Sequence, residues 1–346
     1  MFRKNTTLIL GAGASYDFGL PLGTDLKNQI SKSLHLVVDD LGRSLQHGSS
    51  DIFNALVSCA QNDPNPSGQL SIYLSAANEI SDAVTMCSSI DDCIERHAGN
   101  KAYELCAKLA IAQAILSAER KSRLRIDPRS DERLNMTPFN ANWLAEFLQL
   151  ATKGLHVRDL SRALHNIRFI VFNYDRCFEQ FTHNWLKTVY RIEDPDAANI
   201  IKRLNIIHPY GSLGDIFHNA GSNYIPYGGE VSHGRLIQIS QNLKTYSESI
   251  DIEQSKIVEA VENSQNIIFM GFGFHQQNLD LMKSKRLENV DRHIYASSVG
   301  ISSARWDSIR NRLASALSTQ TNHMFTHNGN KSCEDLLAEF ADNLVD

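Results

Sequence analysis

The sequence predicts an α/β fold, a doubly wound parallel sheet with a helical insertion, and three observations support it. A short apolar strand, Thr7–Leu10, runs into the glycine turn Gly11-Ala12-Gly13-Ala14-Ser15 and then into a helix that opens near Thr24 or Asp25. The chain from 30 to 160 has mostly helical periodicity, and strand and helix patterns alternate after 160. We therefore expect a Rossmann-like domain over 1–30 and 160–346 and a helical insertion module over 31–159.

Within the insertion, Ser89 and Asp92 have the spacing of a capping box before a short helix. The stretches Ala102–Leu124 and Asn142–Thr152 also predict helices. The polar segment Gln61–Gly68 and the charged segment 125–133 predict exposed loops. We expect the inserted helices to lie over the carboxyl edge of the sheet, where ligands of such folds bind.

The second half of the chain supplies the other strands and helices of the sheet domain. The predicted strands are Ile167–Phe172, Asn205–Ile207, Leu236–Ile239, Ile267–Met270, Ile294–Ala296 and His323–Phe325. The predicted helices are Asp175–Val189, Ile252–Asn263, one from about Gln277, Ala304–Leu317 and Glu334–Leu344.

Composition limits the classes of function. With 346 residues, 42% of them hydrophobic, the chain can bury a full core. Its formal charge of −5 argues against tight nonspecific nucleic-acid binding, although a local basic patch is compatible with it. The apolar run Leu8-Ile9-Leu10 is too short for a signal peptide and no stretch has the length of a membrane span, so we expect a cytoplasmic protein with no membrane partner.

Metal binding is not expected from the cysteines, because none of them forms a C-x-x-C pair. We expect reduced, mostly buried thiols, without disulfides or a structural metal. The six residues are Cys59, Cys87, Cys93, Cys106, Cys177 and Cys333.

The glycine turn after the first strand departs from the usual dinucleotide fingerprint. Tyr16 stands where the third glycine belongs, and the next glycine is Gly19. The turn is therefore compatible with nucleotide binding, in which its backbone approaches a pyrophosphate, and with a purely structural tight turn. No P-loop motif is present in the sequence.

Five segments in the same order, each at the end of a predicted strand, resemble the motifs of sirtuins. The glycine turn is followed by Gly19-Leu-Pro21, as in the opening motif of that family. The others are Phe172-Asn-Tyr-Asp175, His208-Pro-Tyr-Gly-Ser212, Gly271-Phe-Gly-Phe274 with Asn278 beyond it, and Ala296-Ser-Ser298. The resemblance implies that NAD is bound by Gly11, Ala12, Gly13, Ser15, Tyr210, Gly211, Ser212, Gly271, Gly273, Asn278 and Ser297.

Two departures separate the chain from sirtuin deacylases. Leu22–Leu26 replaces their aspartate-phenylalanine-arginine segment, and their four-cysteine zinc module is absent from the sequence. The pattern is more similar to the bacterial sirtuin-like NAD hydrolases of antiviral defence, which Ser89-Ile90-Asp91 also resembles. That resemblance implies an NAD glycohydrolase that depletes NAD and so stops phage growth by abortive infection.

Cleavage of the bond between nicotinamide and ribose builds positive charge on the sugar, which calls for oxygen acceptors and a base. The motifs point to Asn173 for holding a ribose hydroxyl and a water, and to Asp175 for stabilising the cation or, alternatively, for capping the next helix. His208 suits the base, but in the family pattern the histidine directly precedes the glycine, where Tyr210 stands here. The assignment is open between His208 and Tyr210. His275, beside the late glycine turn, is the other histidine of interest.

Two further functions fit the same motifs: an NAD-dependent protein deacylase and a non-catalytic sensor of NAD or ADP-ribose. Because the last predicted helix reaches almost to Asp346, we expect any sensing element to be a different polypeptide. The resemblance implies a homo-oligomer and, as one candidate partner, a HerA-type hexameric DNA translocase.

Overall fold

A computed structural model of the chain describes residues 2, 4–39, 44–127, 133–160, 164–217, 221, 223–284, 292–320, 324–325 and 331–345. It confirms the predicted fold class, an α/β protein with a parallel sheet and helices between the strands. The chain forms two compact units: unit 1 comprises 1–18, 126–209 and 249–346, and unit 2 comprises 19–125 and 210–248. These units divide the chain differently from the expected boundaries, because 126–159 belongs to the sheet unit and both 19–30 and 210–248 belong to the helical one.

Within the described residues, unit 1 contains a sheet of six parallel strands, which are numbered in chain order. They are β1 (Thr6–Leu10), β2 (Ile167–Val171), β3 (Asn205–Ile207), β4 (Asn266–Met270), β5 (His293–Ala296) and β6 (Met324–Phe325). Their order across the sheet is β3-β2-β1-β4-β5-β6. This is the strand order of the Rossmann fold. Strands β2 and β3 lie on one side of β1, and β4, β5 and β6 lie on its other side, so the order reverses between β1 and β4.

The central strands are buried along their whole length, as expected for a parallel sheet covered on both faces. Leu10 pairs with Val171 of β2 on one side and with Met270 of β4 on the other. Ile170 pairs with Ile207 of β3. The segments that follow β3, β2, β1 and β4 therefore leave the sheet at one common edge.

The helices of unit 1 mostly match those predicted. Between β1 and the rest of the chain the structure adds a 3-10 helix, Ala12–Phe18, that the sequence analysis did not predict. The α-helices are Trp143–Thr152, Cys177–Tyr190, Asp194–Lys202, Gln254–Glu262, Gln276–Leu281, Ser303–Leu317 and Cys333–Val345. A further helix, Tyr246–Ile252, begins in unit 2 and ends in unit 1.

Unit 2 is helical, with one short antiparallel ribbon formed by Val37–Val38 and Leu45–His47. Its central helix, Lys101–Lys121, is buried on all sides over Leu109–Ala112, as expected for a helix packed among other helices. The other helices are Gly23–Leu34, Ser50–Ala60, Pro66–Ala83, Ile90–Glu95 and His233–Ser240.

Two predictions in unit 2 are wrong. The expected strand Leu236–Ile239 lies within the helix His233–Ser240, which the Ser232 side chain caps by accepting from the amide of Arg235. The run of four residues is too short for its periodicity to separate a strand from a helix. The expected loop 61–68 ends early, because Pro66 begins the helix Pro66–Ala83 at a position where proline costs no hydrogen bond.

Parts of three predictions lie outside the described residues: 128–132 of the charged loop, His323 of the last strand and Asp346 at the chain end. Met324 and Phe325 of that strand are described and pair with β5. Among the helices that the structure describes, none combines the length and the apolar character needed to cross a membrane.

Candidate active site

The glycine turn after β1 and the late glycine turn after β4 pack backbone against backbone. They meet where the strand order of the sheet reverses. A Cβ atom on Gly11 would lie 2.6 Å from the carbonyl oxygen of Gly271, and one on Gly13 would lie 2.8 Å from the Gly271 Cα. Gly271 itself has φ +57°, and a Cβ there would lie 2.1 Å from the Ala14 nitrogen. Contact between the two turns thus requires glycine at all three positions.

This packing also uses amides that a pyrophosphate would need. The amide of Gly11 donates to the Met270 carbonyl at 3.0 Å, and the amide of Gly13 donates to the Gly271 carbonyl at 2.9 Å. The amide of Ala14 donates to the Gly11 carbonyl at 2.9 Å. The amides of Gly11 and Gly13 thus hold the neighbouring turn, which supports the structural alternative for these glycines, and their contact with a pyrophosphate stays a prediction.

Three predicted site residues meet in one buried hydrogen-bonded group beside the first glycine turn. The amide nitrogen of Asn173 donates to the Gly11 carbonyl at 2.9 Å and to the Ser15 hydroxyl at 3.1 Å. The Ser15 hydroxyl donates in turn to Asp175 Oδ1 at 2.9 Å. Because both amide protons of Asn173 point to protein acceptors, its amide oxygen is the atom suited to a ribose hydroxyl or a water.

Asp175 also supports the helix that follows β2. Its Oδ1 accepts from the backbone amide of Cys177, the first residue of the helix Cys177–Tyr190, at 3.0 Å. Asp175 therefore binds the first amide of this helix as well as Ser15, although the N-cap position itself is Arg176. A carboxylate in this place offers a negative charge beside Asn173, in keeping with the cation-stabilising role.

His208 follows the last residue of β3 and is bound to a carboxylate that the sequence motifs do not indicate. Its Nε2 lies 2.7 Å from Oε1 of Glu179, and the two side chains are 16% and 14% exposed. Burial by itself lowers the pKa of His208, but the charge and hydrogen bond of Glu179, the nearby Asn173 carbonyl and the charge of Asp175 outweigh it and raise the pKa.

The late glycine turn carries two aromatic side chains into the core. Phe272 and Phe274 are both buried, and Phe274 has a left-handed backbone with φ +53°. Arg312 donates to the Phe274 carbonyl at 3.2 Å and so holds this turn. A Cβ on Gly273 would lie 3.0 Å from the ring of His275, which is exposed.

Ser297 follows β5 and binds the same turn, while Asn278 lies in the helix Gln276–Leu281. The Ser297 hydroxyl accepts from the amide of Gly271 at 2.8 Å. The thiol of Cys333 donates to the Ser297 hydroxyl at 3.8 Å, and burial raises the pKa of this thiol to about 12. Ser297 is thus a support for the turn at Gly271.

Tyr210, Gly211 and Ser212 belong to unit 2. Tyr210 is buried, and burial together with the charges of Asp91 and Glu95 and the neighbouring Tyr246 raises the pKa of its phenol. A phenol in this state stays protonated and does not suit the role of a base. Gly211 has φ +74°, and a Cβ there would collide with the Asn242 carbonyl.

The structure therefore brings Gly11, Gly13, Ser15, Asn173, Asp175, His208, Gly271 and Ser297 to one edge of the sheet. Glu179 joins this edge, although it lies 29 residues before its partner His208. The one signal for Glu179 in the sequence is a carboxylate in the first turn of the helix that follows Asn173 and Asp175.

Searches against protein-family models and curated proteins return no match to this chain. Among the described residues, histidine, cysteine, aspartate and glutamate side chains form no group of three or more suited to a metal ion.

Proposed function

We propose that this chain is an NAD glycohydrolase, which hydrolyses the bond between nicotinamide and ribose and releases nicotinamide and ADP-ribose. The observation that carries the proposal is the meeting of Asn173, Ser15 and Asp175 with the first glycine turn. They meet at the carboxyl edge of a sheet with Rossmann strand order, next to its change of direction, which is where dinucleotides bind in such folds.

The residues of this edge match the charge changes of the reaction. When the bond to nicotinamide breaks, its electron pair leaves with the nicotinamide nitrogen and the ribose becomes cationic. The carboxylate of Asp175 is suited to stabilise that charge, and the amide oxygen of Asn173 to accept from a ribose hydroxyl or the attacking water. Water then adds to the ribose carbon, and its proton passes to a base.

We assign His208 as the base. This residue directly follows β3, and its ring lies near the backbone carbonyl of Asn173. Tyr210 is the weaker candidate, since its raised phenol pKa keeps the proton on the oxygen. The remaining predicted contacts with NAD, at Ala12, Gly273, Asn278, Gly211 and Ser212, rest on the resemblance to sirtuin motifs.

The biological setting that we propose also rests on that resemblance. Depletion of NAD in the cytoplasm would stop phage growth, and a homo-oligomer regulated by a HerA-type translocase would keep the activity silent until infection. No metal is assigned to the reaction.

The experiment is a turnover assay of the purified chain with NAD, with nicotinamide and ADP-ribose measured separately. The proposal expects equal amounts of both products without any acylated peptide. NAD retained unchanged would indicate a sensor, a function favoured by the engagement of the Asn173 amide within the protein. Release of nicotinamide that requires an acyl-lysine peptide would indicate a deacylase.

A further inference from the structure

Glu179 and His208 form a pair in which each side chain uses one polar atom in the hydrogen bond between them. Each has a second polar atom that takes no part in this bond. Nε2 of His208 and Oε1 of Glu179 are 2.7 Å apart. Nδ1 of His208 and Oε2 of Glu179 are buried and make no hydrogen bond within the described part of the chain. A buried polar atom left without a hydrogen bond destabilises the folded state, so such atoms call for an explanation.

The chemistry of the two groups decides where the imidazole proton lies. An ionised carboxylate only accepts hydrogen bonds, whereas a neutral imidazole has one N–H donor and one lone pair. The hydrogen bond to Glu179 therefore requires the proton on Nε2. The lone pair is then on Nδ1, the buried atom for which no described group meets hydrogen-bond geometry, although the Asn173 carbonyl lies near the ring.

We propose that Glu179 is a positioning residue that fixes His208 as the Nε2–H tautomer and leaves Nδ1 as the atom that takes up a proton. The catalytic meaning of this arrangement rests on the proposed hydrolysis of NAD, whereas the tautomer itself does not. In the reaction, water adds to the ribose carbon, its proton moves to Nδ1, and the resulting imidazolium is stabilised by Glu179 through Nε2–H. This is the division of roles in carboxylate-histidine catalysis generally.

Groups from two other elements act on the ring and agree with this assignment. Glu179 comes from the first turn of the helix Cys177–Tyr190, His208 from the end of β3, and Asn173 and Asp175 from the segment between β2 and that helix. The charges that act on the ring are those of Glu179 and Asp175, and the Asn173 carbonyl lies near enough to favour a proton on the ring. The charge of Glu179, the charge of Asp175 and the Asn173 carbonyl each favour the imidazolium that forms when Nδ1 takes up a proton.

The first test reads the tautomer directly, without any substrate. In protein with ¹⁵N-labelled histidine, nitrogen chemical shifts distinguish a protonated ring nitrogen from one with a lone pair, and His208→Gln identifies the signals of His208. We expect Nε2 protonated and Nδ1 unprotonated at high pH. A His208 ring protonated on Nδ1 and not on Nε2 in the neutral form would overturn the proposal.

Variants of Glu179 separate its charge from its hydrogen bond. Glu179→Gln keeps an acceptor oxygen of the same shape, so we expect the Nε2–H tautomer to persist while the pKa of His208 falls. Glu179→Ala removes both, so we expect mixed tautomers and a lower pKa. Asp194→Asn is the matched control, because it removes a carboxylate beside another histidine, His183, and should leave the His208 signals unchanged. Unchanged His208 signals in both Glu179 variants would contradict the positioning role.

The second test is kinetic and joins this role to the proposed reaction. We expect Glu179→Ala to lower kcat for NAD by about 10- to 100-fold with little change in KM. In Glu179→Gln the acid limb of the pH profile should move to lower pH together with the pKa of His208. A pH profile that does not move would remove His208 from the reaction. If the wild-type chain consumes no NAD while the nitrogen spectra follow expectation, the proposed function fails and the positioning of His208 stands.

Discussion

The side-chain amide of Asn173 donates to the carbonyl oxygen of Gly11 at 2.9 Å, so the segment after β2 holds the glycine turn after β1. The same amide also donates to Ser15, which binds Asp175. Asn173 thus has a structural role in the edge of the sheet and the catalytic role proposed above. A substitution of Asn173 removes both roles at once. A control variant is therefore needed to separate the loss of stability from the loss of activity.

Asn173→Ala should lower NAD consumption by about 100-fold or more, because a positioned catalytic group is lost. It should also lower the free energy of unfolding by about 1–3 kcal/mol, because two side-chain hydrogen bonds are lost, to the Gly11 carbonyl and to the Ser15 hydroxyl. Steady-state kinetics and urea denaturation measure the two effects.

Asn184→Ala is the matched control for this variant. The Asn184 amide is buried in the helix Cys177–Tyr190 and donates to the Gln180 carbonyl at 2.8 Å. We expect a comparable loss of stability with near-native turnover. Equal turnover in the two folded variants would remove Asn173 from the proposed site.

Gly271→Ala should destabilise the chain by about 3 kcal/mol, because Gly271 has φ +57° and a Cβ there would lie 2.1 Å from the Ala14 nitrogen. Gly234→Ala is the control: Gly234 lies in the helix His233–Ser240, and a Cβ there meets nothing within 4 Å. That variant should gain up to about 1 kcal/mol from helix propensity. Chemical denaturation that finds Gly271→Ala as stable as the wild type would refute the close contact of the two turns.

The strand ends of the site were predictable because each is marked locally. An apolar run followed by glycine or by Asn173 identifies β1, β2 and β4, and a parallel sheet brings their carboxyl ends to one edge. What the glycines do there was not predictable. Their contact depends on the register that places Leu10 opposite Met270, and no local pattern encodes a register between distant strands.

The pairing of Glu179 with His208 shows the same limit. It requires β2 and β3 to be neighbours, with Ile170 opposite Ile207, before the first turn of the next helix can reach the ring. The helix His233–Ser240 shows another limit, since the short apolar run Leu236–Ile239 fits either period, and its capping serine was the better guide.

Ser232→Ala should therefore destabilise the chain by about 1 kcal/mol, because its hydroxyl accepts from the Arg235 amide at the start of that helix. Ser67→Ala, at an exposed position in the first turn of the helix Pro66–Ala83, should change stability by no more than about 0.5 kcal/mol. The two free energies of unfolding are compared by urea denaturation. A smaller loss for Ser232 than for Ser67 would contradict the capping role.

His208 and His183 should contribute to stability with opposite dependence on pH. The pKa of His208 is raised in the folded state, chiefly because the charge of Glu179 outweighs burial. The folded state therefore binds more protons than the unfolded state, and the contribution of His208 is complete below the ordinary histidine pKa and is lost as pH rises through the raised pKa. The pKa of His183 is lowered, because burial and the charge of Lys187 outweigh Asp194. Its contribution is complete at high pH and is lost as pH falls from the ordinary histidine pKa through the lowered one.

The measurement is the free energy of unfolding of wild type, His208→Gln and His183→Gln at a series of pH values around neutrality. Subtracting each variant from the wild type cancels the titration of the other groups. The stability lost by His208→Gln should shrink as pH rises, and the stability lost by His183→Gln should grow over the same range. A stability loss for His208→Gln that does not shrink as pH rises would show that Glu179 does not hold the charged form of His208.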